Sequence, residues 1–281
     1  MSKNKNIIAF QGVAGANSDM ACRQAYPYME TLPCPTFEDA LNAVETGKAA
    51  LCMIPTENSK AGRVAEIHNI LPNTNLYIVG EYFQRIEHHL AAPKGADIKS
   101  IKTVYSHNQA LMQCRKNILA LGFEAESYSN TAAAAKDVAV WKDISKAAIC
   151  SRLAADLYGL EIIKENVEDS HDNTTIFIAM SAEPIDPNPA QGQVITSLVF
   201  TARNIPAALY KALGGFATNQ VNMLKVESYI PSGASQTAQF FMSFEGHPSQ
   251  RNVQLAIEEL GFFCRKVKVL GVYYGDKKRF E

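Results

Sequence analysis

The stretch Ser181-Ala182-Glu183-Pro184-Ile185-Asp186-Pro187-Asn188-Pro189-Ala190-Gln191-Gly192 divides the chain. Three prolines in a polar run repeatedly fix φ, so the segment reads as a stiff linker and a domain boundary. Downstream the sequence gives a strand at 194–201, a helix from Pro206 to Thr218, and strands at 221–229 and 238–246. A helix from Pro248 to Leu260 and a strand at 263–273 follow. The order β-α-β-β-α-β is the ferredoxin-like plan, assigned to a domain over 194–281. Pro206 and Pro248 stand at the expected helix starts, where a missing N–H is harmless. Small units of this kind leave an edge strand open, so pairing with a second copy is expected.

Upstream, over 1–185, short apolar strands end in polar turns that lead into helices, which argues for open α/β sheets. Strands are expected at Ile7–Phe10, Ala50–Ile54, Lys102–Ser106, Glu124–Tyr128, Ala147–Cys150 and Thr174–Met180, with Leu76–Ala92 extended throughout. Thr36 and Thr131 read as N-caps, Asn108–Leu121 as one helix, and Pro55 as the turn that ends its strand.

Four turns share one build: Gly12–Ser18, Pro55–Ser59, Tyr105–Gln109 and Ser129–Thr131. Each follows a strand, at the edge where open α/β sheets bind ligands, and free N–H groups at a helix start can hold a carboxylate or phosphate. A fifth polar cluster, Asp169–Asn173, runs into the strand carrying Thr174 and Thr175. Any one of these could be a plain turn or cap. Ser106 could cap the next helix, and His107 has no acid or nucleophile beside it from which to argue a triad. The glycine spacing matches neither the dinucleotide fingerprint nor the Walker A loop. Together the turns suggest a cleft between two lobes for a small, multiply charged, hydroxylated ligand.

Composition narrows the class. The 281 residues are 47% hydrophobic and 20% charged with a net charge of −1, an ordinary globular balance without a nucleic-acid footprint. No apolar run is long enough to span a membrane, and the N-terminus lacks the pattern of a signal peptide. The cysteines form no Cys-x-x-Cys pair and the histidines no helical pair at metal spacing, so buried thiols of a cytoplasmic protein, with no metal and no cofactor, are expected.

In their order these turns resemble the prephenate dehydratase family. Its N-terminal Gly-x-x-Gly turn ending in Ser is matched by Gly12, Gly15 and Ser18. Its Pro-x-Glu-Asn-Ser-x-x-Gly-x-Val box is met by Pro55, Glu57, Asn58, Ser59, Gly62 and Val64. The Ser-His-Pro-Gln-Ala-Leu box appears as Ser106 to Leu111 with Asn108 for Pro, and Thr-Ala-x-Ala as Thr131 to Ala134. Ala147–Leu160 carries the Ala-Ala-Ile and Tyr-Gly-Leu stretch. Asn-x-Thr-Arg-Phe appears as Asn173-Thr174-Thr175-Ile176-Phe177, with Ile176 in place of Arg. The C-terminal half resembles a phenylalanine-binding ACT domain. Ala207-Ala208-Leu209-Tyr210 stands for its Gly-Ala-Leu-Phe, and Glu227-Ser228-Tyr229 with a late Pro231 for its Glu-Ser-Arg-Pro.

The resemblance implies a two-lobed, periplasmic-binding-protein-like catalytic domain, with lobe 1 at about 1–80 and 165–185 and lobe 2 at about 81–164, followed by the ACT domain. The implied reaction converts prephenate to phenylpyruvate, water and carbon dioxide, a lyase step of aromatic amino-acid biosynthesis. Thr175 is the implied proton donor to the departing hydroxyl. Asn58, Ser59, Ser106, Gln109, Thr131, Gly15, Ala16, Asn173 and Phe177 are expected around the substrate. Ala207, Ala208, Leu209, Asn222, Glu227 and Ser228 are expected around L-phenylalanine as allosteric effector. A homodimer or homotetramer through the ACT domain is expected, without nucleic-acid or membrane partners. A chain that opens on the catalytic domain is expected to be monofunctional. Ile176 removes a cation expected near the site, for which Arg63 or Lys60 would have to substitute. Arogenate dehydratase, or a phenylalanine-binding regulator without turnover, remain the alternatives.

Overall fold

The structure, a computed structural model, describes residues 6–230 and 238–281. Pro231 of the second effector motif lies outside them. The first lobe contains β1 (Ile7–Gln11), α1 (Asn17–Ala25), β2 (Glu30–Cys34), α2 (Phe37–Glu45), β3 (Leu51–Asn58), β4 (Gly62–Arg63), α3 (Ala65–Ile70) and β5 (Tyr77–Arg85). The second contains β6 (His89–Ala92), β7 (Thr103–His107), α4 (Asn108–Gln113), α5 (Arg115–Ala120), β8 (Glu124–Tyr128), α6 (Thr131–Trp141), β9 (Lys146–Cys150), α7 (Arg152–Tyr158) and β10 (Glu161–Lys164). β11 (Thr174–Ser181) then returns to the first sheet, whose order is β2-β1-β3-β11-β5 with β4 on β3. The second sheet runs β10-β6-β9-β7-β8.

In the first sheet β1 is parallel to β2 and β3, while β11 is antiparallel to β3 and β5. The chain therefore crosses between lobes twice, at 86–88 and at 165–173. The two crossings are joined by Ile86 N–H donating to the Asn173 carbonyl at 2.9 Å and Val167 N–H to the His88 carbonyl at 2.8 Å. The first crossing falls later than the expected 81, because β5 stays paired with β11 as far as Arg85.

Several local expectations need correction. Leu76–Ala92 is two strands in different sheets, and the helix expected from Asn108 breaks at Cys114. Asn130, not Thr131, caps α6, its Oδ1 accepting from Ala133 N–H at 2.7 Å. Thr131 is the first helical residue, which leaves its hydroxyl free of the cap. Thr36 does cap α2, accepting from Asp39 N–H at 3.0 Å. Pro55 does not end its strand. It sits at a β-bulge, where the pairing of β11 with β3 skips Thr56, a place that tolerates a residue without an N–H.

After the linker come β12 (Val194–Ala202), α8 (Ala208–Thr218), β13 (Met223–Tyr229), β14 (Gln239–Glu245), α9 (Arg251–Phe263) and β15 (Cys264–Tyr274). The antiparallel order β13-β14-β12-β15 is ferredoxin-like. Pro206 and Pro248 lie just upstream of the helices they were expected to open. One face of this sheet packs on α8 and α9 through Leu198, Phe200, Phe216 and Leu260. The other shares a core with the first lobe, where Ile195, Val199, Leu270 and Tyr273 meet Ile54, Leu76 and Ile78. β15 runs so close to β5 that a Cβ on Gly271 would stand 2.1 Å from the Ile78 carbonyl oxygen. Arg279 closes the edge by pairing with buried Glu81 at 2.6 Å.

Candidate active site

The strand geometry of the first sheet decides which polar groups reach the space between the lobes. β11 stays in regular register with β5 from Thr174 through Ala179, so Thr175 and Phe177 share one face and Ile176 takes the other. Opposite them on β3, Asn58 pairs with Thr175 and Pro55 with Phe177. Residues three apart would normally face opposite ways. The bulge at Thr56 supplies the extra residue that brings Pro55 and Asn58 onto the same face. All four line a cleft of about 220 Å³.

The first residues of three helices complete its walls: Asn17 and Ser18 of α1, Gln109 and Ala110 of α4, and Thr131 of α6. Helix N-termini carry unpaired N–H groups and the positive end of the dipole, so all three favour a bound anion. The crossings contribute Ile86, His88 and Asn173, and Gln113 adds an amide from the end of α4. Among the described residues lining this cleft there is no Asp, Glu, Lys or Arg; His88 and His107 are its titratable groups.

The hydrogen-bond chain along the floor has a fixed direction. Asn58 Oδ1 accepts from the backbone N–H of Lys60 at 3.0 Å and of Ala61 at 2.8 Å, so its other terminal atom must be the amide nitrogen. That nitrogen donates to Thr175 Oγ1 at 2.9 Å and to Asn173 Oδ1 at 2.7 Å. Asn173 Nδ2 must then donate to Gln113 Oε1, at 2.9 Å. Gln113 Oε1, an acceptor, faces His88 Nε2 at 2.8 Å, so that ring nitrogen carries a hydrogen. Burial pushes the His88 pKa down, against the Gln113 hydrogen bond and the charge of Glu168, which favour protonation. Burial thus favours the uncharged ring. The chain leaves the Thr175 O–H, both Gln113 amide N–H groups and the second Asn173 amide N–H unspent, all on residues that line the cleft.

Of the residues expected from sequence, Thr175, Asn58, Gln109, Thr131, Asn173 and Phe177 line the cleft. Ser106, Ser59, Gly15 and Ala16 do not. Ser106 is fully buried and donates to the Ile149 carbonyl at 2.5 Å, bridging β7 to β9. Ser59 staples β3 to β11, donating to the Asp172 carbonyl at 3.1 Å and accepting from Thr174 N–H at 2.9 Å. The Gly15 carbonyl accepts from Ser151 Oγ at 2.8 Å, and Ala16 packs against second-lobe residues, so this turn docks the lobes together. Sequence reasoning missed His88, Gln113, Asn17 and Ile86. Gln113 lies one helical turn beyond Gln109, a spacing that puts both on one face and could have disclosed it. Neither cation named as a substitute for arginine reaches the lining. Lys60 pairs with Asp172 at 2.7 Å, and Arg63 donates to the Ser228 carbonyl at 2.9 Å. Position 176 itself faces away from the cleft, on the side where Glu57 meets Lys225 of the C-terminal domain at 2.7 Å.

The expected effector residues do not converge on one cavity among the described residues. Asn222 lines a cavity of about 340 Å³ with Val221, Glu245 and the linker residues Pro189 and Gly192. Ala207 and Ala208 open α8, and Leu209 packs on the domain core. Glu227 meets Lys225 at 3.2 Å, and Ser228 holds Arg63. No cluster of three or more His, Cys, Asp or Glu among the described residues could hold a metal ion, and no described helix is long and apolar enough to cross a membrane.

A two-lobed α/β unit with an anion-favouring cleft at its strand ends, joined to a ferredoxin-like domain, is the class defined by this geometry. A family profile for prephenate dehydratase matches residues 8–185. The chain belongs to the prephenate dehydratase family. It is 46% identical to a bifunctional N-acyl-homoserine lactone acylase/prephenate dehydratase of Komagataeibacter europaeus, over 96% of both chains. It is 37% identical to arogenate dehydratase/prephenate dehydratase 2, chloroplastic, of Arabidopsis thaliana, over 96% of this chain and 73% of the relative. Among solved structures, one described as a novel type of quorum quenching acylase superposes with TM-score 0.91 at 45% identity, covering 97% of this chain and 99% of the other. The prephenate dehydratase of Arthrobacter aurescens in complex with L-Phe superposes with TM-score 0.86 at 28% identity, over 95% and 89%.

Proposed function

We propose that this chain is a prephenate dehydratase regulated by L-phenylalanine. The carrying observation is the fixed direction of the Asn58–Thr175 hydrogen bond. Thr175 accepts from Asn58, so its own proton points to whatever occupies the cleft. As the ring carboxylate of prephenate leaves as carbon dioxide, its bonding electrons enter the ring and expel the hydroxyl. Thr175 hydrogen-bonds that hydroxyl as it departs, and solvent supplies the proton that makes it water. Threonine is a weak acid, so its contribution is a well-placed hydrogen bond that strengthens as negative charge grows on the leaving oxygen. The helix starts at Asn17 and Thr131 supply N–H groups for carboxylates, and closure of the lobes excludes water.

The lining favours prephenate over arogenate. Arogenate carries an ammonium where prephenate has a ketone, and no carboxylate among the described lining residues is available to pair with it. Regulation by L-phenylalanine rests on the ferredoxin-like domain, read as an ACT domain, and on likeness to a dehydratase solved with L-Phe. That domain touches β3, the strand of Asn58, through Lys225 and Glu57. An effector that binds one lobe arrangement better than the other would shift their balance through this contact.

An acylase activity is a second reading, favoured by the 46% identical bifunctional relative. A Ser249–His247–Asp186 arrangement exists, with contacts of 2.7 and 2.9 Å. It lies outside the cleft, and its Asp186 is almost fully exposed, which screens the charge a triad needs. The test is turnover of prephenate, arogenate and an N-acyl-homoserine lactone by the purified protein, each with and without L-phenylalanine. Phenylpyruvate from prephenate at a rate that phenylalanine changes supports the proposal. Turnover of arogenate alone, of the lactone alone, or of none with phenylalanine still bound would replace it.

A further inference from the structure

We infer that His88 is a positioning residue for the reaction, acting through the Gln113 amide to hold Asn173 and Asn58 where Thr175 presents its proton. The inference rests on reading the cleft as a dehydratase site. The hydrogen-bond chain joins both lobes and both crossings of the catalytic unit. Thr175 and Asn58 belong to the first sheet, Asn173 to the second crossing, Gln113 to the second lobe and His88 to the first crossing. His88 is held from behind by its backbone, whose N–H donates to the buried Glu168 carboxylate at 3.0 Å and whose carbonyl accepts from Val167. The residue is 3% exposed, and its ring has little freedom to follow a misplaced partner.

Gln113 Oε1 therefore receives two hydrogen bonds of similar length, one from each crossing. Both are satisfied only in one orientation of the Gln113 amide. The Gln113 main chain is itself fixed to the second crossing, its carbonyl accepting from Asp169 N–H at 2.7 Å, so what the two side-chain bonds set is the orientation of the amide. Loss of the His88 bond leaves Gln113 held from one side, free to swing, and weakens the restraint on Asn173 and Asn58. Because these contacts set the geometry of proton donation, their loss falls on kcat more than on KM.

The test compares His88→Leu, which fills the space without a donor, with His88→Gln, which keeps an N–H at similar reach. Wild-type turnover of prephenate is established first. His88→Leu should lower kcat about 10–100-fold with KM changed less than about threefold, and His88→Gln should recover most of the loss. A double-mutant cycle with Gln113→Leu should show the second substitution costing little once the first is made. Wild-type kcat in His88→Leu, no recovery in His88→Gln, or additive losses would overturn the inference. Should His88→Leu fail to fold, His88→Gln with and without Gln113→Leu carries the kinetic test. Long-range 1H–15N correlation of the wild-type imidazole reads the bond whether or not prephenate is the substrate. A neutral ring with hydrogen on Nε2 is expected. Hydrogen on Nδ1 alone would overturn the inference even if prephenate is turned over. Absence of prephenate turnover with the Nε2–H form present would refute the dehydratase reading and leave the positioning contact standing.

Discussion

Asn58 on β3 and Thr175 on β11 are directly opposed in the sheet, and the Asn58 amide donates to the Thr175 hydroxyl at 2.9 Å. The backbone N–H groups of Lys60 and Ala61 fix which end of that amide faces the threonine. A turn of main chain thus keeps the Thr175 proton from being spent on Asn58, and the β-bulge at Thr56 determines that Asn58 reaches the cleft at all.

Ser106 supplies a contrast. Its buried hydroxyl bridges β7 to β9 through the Ile149 carbonyl. Ser106→Ala should lower stability by about 1–2 kcal/mol in denaturant unfolding, since a buried acceptor loses its partner, while KM for prephenate stays within about twofold. A large rise in KM with unchanged stability would restore Ser106 to the substrate.

Gly15 holds the lobes in contact. Its φ is +87°, and a Cβ there would stand 2.9 Å from Ala154 Cα in the second lobe. Gly15→Ala should cost about 1–3 kcal/mol through strain and displacement and should raise KM by keeping the lobes apart. Thermal unfolding and steady-state kinetics check both, and an unchanged midpoint would show that the turn is free to move.

Ala207 occupies a left-handed conformation, φ +58°, at the start of α8. The family motif has glycine there. Removing the Cβ relieves a cost of about 1–2 kcal/mol, partly offset by the entropy glycine adds to the unfolded chain. Ala207→Gly should therefore stabilise the protein by about 1 kcal/mol in chemical denaturation. A loss of stability would contradict the backbone assignment.

Acid should weaken the crossing that carries His88 and His89. Burial is the main cause lowering both pKa values, helped at His89 by the nearby charge of Arg152, while Glu168 opposes both. The unfolded imidazole titrates near pH ~6.5, and the folded rings bind protons less readily. Unfolding then takes up protons below that pH, so stability is full above it and falls as pH drops towards the folded values. The unfolding midpoint should decline as pH falls below about 6.5, and His88→Gln should flatten the decline. A midpoint that rises with acid would reverse the sign of the argument.

Much of this organisation was legible in the sequence because it rests on local chemistry. The prolines of 181–192 announce the linker, Thr36 announces its cap, and the alternation after it gives the βαββαβ order. β2 was not legible: Pro33 argues against a strand, and it is tolerated because β2 is an edge that pairs with β1 alone. The division between β5 and β6 carries no glycine or proline to mark it. Ser106 and Ser59 look like Thr131 in sequence, since a polar residue at a strand end is equally suited to a ligand or a carbonyl. Only the direction of the side chain separates them. Ile176 was readable in hindsight, because it lies between two residues that share a face. His88 and Gln113 are joined by tertiary structure alone.

The most direct measurement is phenylpyruvate formation from prephenate by the wild-type protein, Thr175→Ser and Thr175→Val, with kcat and KM determined separately. The account predicts that Thr175→Val loses about 10²–10⁴ in kcat while KM changes little, and that Thr175→Ser, which keeps the hydroxyl, retains most of the rate. Near-wild-type kcat in Thr175→Val would remove Thr175 from the chemistry and contradict the account.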